Sequence, residues 1–118
     1  MVATHLRHTA IGWAWALILA EMVPEHADVI LARGRAFGES RIICNVHWHS
    51  DVVEGRFIGA SVVAKLHADP KFLSDLGMAK KELASLYAKG VKSPNNCKFE
   101  SDALSITEKN NRLKRKKI

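Results

Sequence analysis

Ser40 and Arg41 precede His47 with five residues intervening, and Asp51 follows His47 after three more. Those residue types at that spacing can do phosphoryl chemistry. A carboxylate one helical turn from a histidine can accept its Nδ1–H bond, fix the tautomer and leave Nε2 as a nucleophile. An arginine nearby supplies a planar fork of donors suited to phosphate oxygens. Two other readings stay open on spacing alone. His47 and Asp51 could simply be a hydrogen-bonded pair at a helix start. Cys44, His47, His49 and Asp51 could all ligate a transition metal, although no matching second half occurs elsewhere.

Four helices and no strand can be read around these residues. The stretch Thr9–Met22 is apolar nearly all round, the pattern of a helix buried on several sides. Pro24 punctuates it, and Glu25 and Asp28 open a second helix reaching about Cys44. Asn45 tolerates the left-handed conformation and marks the break. Ser50 reads as the N-cap of a third helix, with Asp51 and Glu54 in its first turns, running to about Ala68. Asp69 and Pro70 start a fourth, with Leu73, Leu76, Leu83 and Leu86 on one stripe up to Gly90. Gly34 and Gly38 on the second helix, and Gly55 and Gly59 on the third, are each one turn apart. Their charged neighbours Arg33, Arg35, Glu39, Glu54 and Arg56 point to close packing of soluble helices rather than a lipid-facing seam.

At 118 residues the chain is a single modest domain. Its net charge of +6 is unevenly placed. Residues 1–90 carry ten Lys/Arg against nine Asp/Glu, and residues 91–118 carry eight against three. The folded part is therefore near neutral, which argues against a specific nucleic-acid surface there. The segment 91–118, with its cluster Lys114–Lys117, reads as a basic and disordered tail. Cys44 and Cys97 form no disulfide framework or zinc pattern. The apolar run Ala10–Ala20 falls short of the roughly 20 residues of a bilayer span, so no transmembrane segment is expected. It imitates a signal peptide behind Arg7, but Trp13 and Trp15 favour a core helix.

With these residues in view, the region 8–90 resembles the C-terminal half of a bacterial class A non-specific acid phosphatase. That family lies in the type 2 phosphatidic acid phosphatase/vanadium haloperoxidase superfamily. The likeness runs through His8–Trp13, Arg33–Arg41, Cys44, His47–Trp48, Ser50–Val52, Gly55–Arg56 and Leu66–Pro70. Ser40, Arg41, His47 and Asp51 meet the third superfamily signature in full. The fold it implies agrees with the pattern reading: an all-α bundle of about four helices, here a truncated core.

The resemblance implies a phosphomonoesterase that needs neither metal nor other cofactor. His47 would attack phosphorus and form a phosphohistidine, with Asp51 orienting its ring. Arg41 and Ser40 would bind phosphate, and His8 would protonate the leaving alkoxide and later activate water. His49 and His67 match no catalytic position and read as structural or exposed. Two departures bear on activity. The second signature is normally Pro-Ser-Gly-His, whereas His5, Leu6 and Arg7 precede His8 here, so a hydroxyl donor and a close backbone approach are lost. The first signature, a Lys and an Arg-Pro farther upstream, has no counterpart. The expectation is a truncated enzyme, weakly active or inactive, acting on small phosphate monoesters and periplasmic like its relatives, though with no persuasive signal peptide. Two alternatives belong to other classes: a non-catalytic remnant that self-associates through exposed helix faces, or a basic-tail module binding nucleic acid or anionic membrane.

Overall fold

A computed structural model describes residues 3–102 and 105 of the chain. Its elements are α1 (Ala3–Met22), a 3-10 turn (Pro24–His26), α2 (Ala27–Ile43), α3 (His49–Leu66) and α4 (Pro70–Ala88), with no strand among the described residues. The all-α bundle expected from the sequence is what forms. Two compact units divide within α4, Met1–Ser85 and Leu86–Ile118.

In the first unit α1 is the central helix, and glycines of its neighbours let it sit deep between them. On the α3 side, a methyl group added at Gly59 would stand 2.5 Å from the backbone oxygen of Ala10. At Gly55 it would stand 2.9 Å from that of Leu6. These contacts are one turn apart on both helices, so the pairing is backbone to backbone. On the α2 side Gly34 faces the Ala16 methyl, and Gly38 is flanked by Thr9 and Val52. The close packing expected of the two glycine pairs is present on both sides of one helix. Val52, Gly55, Gly59 and Val63 are the buried stripe of α3.

The third face of α1 has no cover among the described residues. Ile11, Trp15 and Leu19 are exposed, Trp15 at 66%. They share one stripe with His8, since residues four apart on a helix stack on one side. The burial on several sides expected of this segment holds for two faces, not three.

The ends of the elements explain how the chain turns. Asn45 takes a φ of 57°, the left-handed residue expected there. The Asn45 amide donates to Ile42 O at 2.8 Å and the Val46 amide to Arg41 O at 3.0 Å, the paired bonds of a Schellman motif. α3 begins two residues before the expected start. Trp48 is its N-cap, and the Asp51 carboxylate reaches back to accept the Trp48 amide at 3.0 Å. Indole has no acceptor to offer in return, so this is half of a capping box and Asp51, not Ser50, performs it. At α4, Asp69 Oδ1 accepts the Lys71 amide at 2.8 Å, as the Asp-Pro start suggested. Of its leucine stripe in the first unit, Leu76 is buried and Leu73 exposed.

In the second unit Gly90 adopts a φ of 64° just after α4 ends. Residues 98–102, inside the segment expected to lack order, form a helical turn with a Lys98–Asp102 ion pair at 2.7 Å. The basic cluster Lys114–Lys117 lies outside the described residues. No helix among the described residues is long and apolar enough to cross a membrane.

Candidate active site

The end of α2 and the start of α3 deliver His47 to one place. Once Asn45 has reversed the chain, the His47 amide also donates to Arg41 O, at 3.2 Å. One carbonyl thus holds both Val46 and His47, and the main chains of Arg41 and His47 are bonded directly. Trp48, the next residue, is fixed by Asp51. The turn carrying the histidine is therefore pinned on both flanks by groups from the Ser-Arg/His/Asp pattern.

His8 arrives from α1. Its ring centroid lies 5.7 Å from that of His47, with the planes inclined at 55°. Their positions are 39 residues apart in the chain, so only the packing of α1 against both partners brings them together. His47 is half-buried and His8 exposed. The pair is therefore open to a small solute.

Arg41 is held from its own helix. Its Nε donates to Ser40 Oγ at 3.3 Å, and Ser40 Oγ donates to Phe37 O at 2.6 Å. The guanidinium carbon stands 5.8 Å from the centre of the Phe37 ring, within cation–π range. That ring occupies the notch over Gly12, where an added methyl would come within 2.6 Å of it. Gly12 on α1, Phe37, Arg41 and Ser40 are thus stacked in sequence. The Phe37–Arg41 spacing of four was readable as a helix-face pair, but the role of Gly12 was not. Among the described residues, no three His, Cys, Asp or Glu side chains are grouped so as to hold a metal ion. Cys44 and His49 are exposed.

The helices thus bring His8 to His47, on a turn bonded to the Arg41 carbonyl. Residues 7–73 match the family model of the PAP2 superfamily, and the chain belongs to that superfamily. It is similar to an acid phosphatase of Zymomonas mobilis subsp. mobilis, 46% identical over 81% of this chain and 37% of the relative. It is also similar to a non-specific acid phosphatase of Providencia stuartii, 52% identical over 67% of this chain and 32% of the relative. A Salmonella typhimurium non-specific acid phosphatase is 46% identical over 64% of this chain and 30% of the relative. The chain spans about a third of the length of these curated relatives.

Proposed function

We propose that this chain carries the phosphoryl-accepting part of an acid phosphatase and hydrolyses small phosphate monoesters through a phosphohistidine. The observation that carries the reading is the facing of His8 and His47, on a turn whose His47 amide is bonded to the Arg41 carbonyl. In the first step His47 Nε2 attacks phosphorus, the phosphorus–oxygen ester bond breaks, and His8 protonates the departing alkoxide. In the second, His8 takes a proton from water, the water oxygen attacks phosphorus, and the phosphorus–nitrogen bond breaks to release phosphate. Arg41 holds the equatorial oxygens as charge builds on them, and Ser40 joins it once its hydroxyl proton turns from Phe37 O to the phosphate. Asp51 orients His47, in part by fixing the adjacent Trp48 amide. Side chains alone perform the step. A periplasmic setting, carried by the likeness to non-specific acid phosphatases, belongs to the same proposal.

The spacing of the two rings adds a condition. An attack distance of about 3 Å plus a hydrogen bond of about 3 Å already reaches about 6 Å, nitrogen to nitrogen, before the ester bond is counted. Rings with centroids 5.7 Å apart leave too little room directly between them. A bound ester must therefore spread the rings or lie across their edges. Leu6 and Arg7 also stand where the family pattern has small phosphate-holding residues. One lost preorganised donor costs on the order of 100- to 1000-fold in rate, so turnover is expected to be slow.

The test is hydrolysis of a chromogenic phosphomonoester at acidic pH by the chain, with and without chelator, beside His47→Ala and His8→Ala. Chelator-resistant activity should vanish in His47→Ala. His8→Ala should still accumulate phosphate on His47, visible by phosphorus NMR. Equal rates in all three proteins, or phosphate attached to another residue, would remove the reading.

A further inference from the structure

At the other end of α1 from His8, about 20 Å along the helix, charged groups from three parts of the chain meet. Glu21 Oε2 lies 2.7 Å from His67 Nε2, and Glu21 Oε1 lies 2.9 Å from Lys80 Nζ. The second ring nitrogen of His67, Nδ1, is 2.8 Å from Val63 O. A carbonyl oxygen and a carboxylate can only accept. Both ring nitrogens must then donate, and only the doubly protonated imidazolium can do so. A neutral ring would have to turn a lone pair toward the carbonyl or toward the carboxylate.

We propose that Glu21, His67 and Lys80 form a proton-operated latch. It holds the α3–α4 corner and the first part of α4 against the C-terminal end of α1 while the imidazole carries two protons, and loosens when one leaves. The latch matters because α4 is otherwise lightly held among the described residues, with Phe72, Ala79 and Leu83 only half-buried. Leu76 is its one buried residue, Leu73 and Met78 are exposed, and a methyl at Gly77 would meet nothing within 4 Å. Phe72 meets the His67 ring edge-on, with centroids 5.4 Å apart. About a third of the His67 and Glu21 side chains is exposed, so solvent protons reach the cluster.

The charges around His67 set the direction of the switch. The Val63 carbonyl, and after it the Glu21 carboxylate, hold the imidazolium above the usual histidine range of 6.5, outweighing partial desolvation and the nearby Lys80. Lys80 and then His67 hold the Glu21 carboxyl below its ordinary 4.5. Of the remaining charges at the corner, Asp69 is engaged with the Lys71 amide and Lys71 with Asp75. A raised histidine pKa stabilises the closed form fully below 6.5, and that contribution is lost as pH rises through the raised value. A lowered carboxyl pKa contributes above 4.5, and that is lost as pH falls through the lowered value. The latch is therefore fully closed between pH 4.5 and 6.5 and opens as pH rises through the raised histidine pKa.

Amide hydrogen exchange of the full chain at pH 6.0 and 8.5, corrected for intrinsic rates, tests it. Protection of α4 amides up to Ser85 should fall about two- to fivefold with pH, the range of partly exposed ion pairs, while α1 and α3 amides hold theirs. In His67→Gln, which cannot titrate, α4 protection should no longer depend on pH. A pH-independent α4 in the parent protein, or the same dependence in His67→Gln, would overturn the proposal. Nitrogen NMR of the His67 ring supplies a second reading free of any variant. Two protonated nitrogens at pH 6, with a pKa above the ordinary value that drops in Glu21→Gln, support the latch. A neutral ring at pH 6 overturns it.

Discussion

The α1–α2–α3 core and the attached start of α4 hold together by opposite means. In the core, Gly55 and Gly59 bring α3 onto the backbone of α1, and Gly34 and Gly38 bring α2 against the side chains of Ala16, Thr9 and Val52. Contact of that kind is dispersion between close surfaces, indifferent to pH and salt and intolerant of one added carbon. α4 instead buries a single leucine and leans on a half-exposed ionic triad. Such an attachment is soft, titratable and screened by salt. The two candidate devices follow that division. The paired histidines need distances fixed between helices and sit on the glycine-locked core. The latch needs a contact able to open and sits on the loose helix.

The largest expected effect comes from breaking the lock. In Gly59→Ala the new methyl faces the Ala10 carbonyl oxygen at 2.5 Å, and neither helix backbone can move aside without losing the rest of the seam. A loss of about 3 kcal/mol is expected, the upper range for overpacking, read as a lower urea midpoint for the whole unit. Leu76→Ala should act on the other region alone. Removing the only buried side chain of α4 costs about 2 kcal/mol, near the low end for a buried leucine. That is roughly a thirtyfold loss of exchange protection in α4, with α1–α3 protection unchanged. If α1–α3 loosen equally, the two regions are one cooperative body and the contrast fails.

The sequence carried the local features and missed the distant ones. Helix order, the left-handed Asn45, the Asp69 cap and the glycine pairs were all readable, because each depends on neighbours within one turn. Grouping Ser40, Arg41, His47 and Asp51 was also local. The pattern puts the N-cap of α3 at Ser50, a better intrinsic cap than Trp48, but the reach-back of Asp51 to the Trp48 amide outweighs that preference. The pattern marks His67 as structural or exposed without naming its partners, because Glu21 and Lys80 come from other helices and no periodicity signals such a pairing. The uncovered stripe of Ile11, Trp15 and Leu19 was hidden for the opposite reason. An all-apolar helix looks the same in sequence whether two or three of its faces are covered.

Two smaller substitutions sharpen the contrast from the stabilising side. Thr9 is 2% exposed, wedged between Gly38 and Gly55, and its hydroxyl has no hydrogen-bond partner among the described groups. Thr9→Val keeps the shape and removes the stranded polar atom, so the core should gain about 1 kcal/mol. A loss there would mean that the hydroxyl is satisfied in solution. Gly77→Ala is the counterpart of Gly59→Ala on the loose helix. The same added methyl meets open space, and replacing a mid-helix glycine removes the backbone entropy it loses on ordering. A gain of about 0.5–1 kcal/mol in α4 helicity is expected, seen as slower exchange confined to α4. One chemical change would then have opposite signs in the two regions, decided by whether a backbone or empty space faces the glycine. If Gly77→Ala instead slows exchange throughout α1–α3, α4 is coupled to the core more tightly than one leucine and three charges provide.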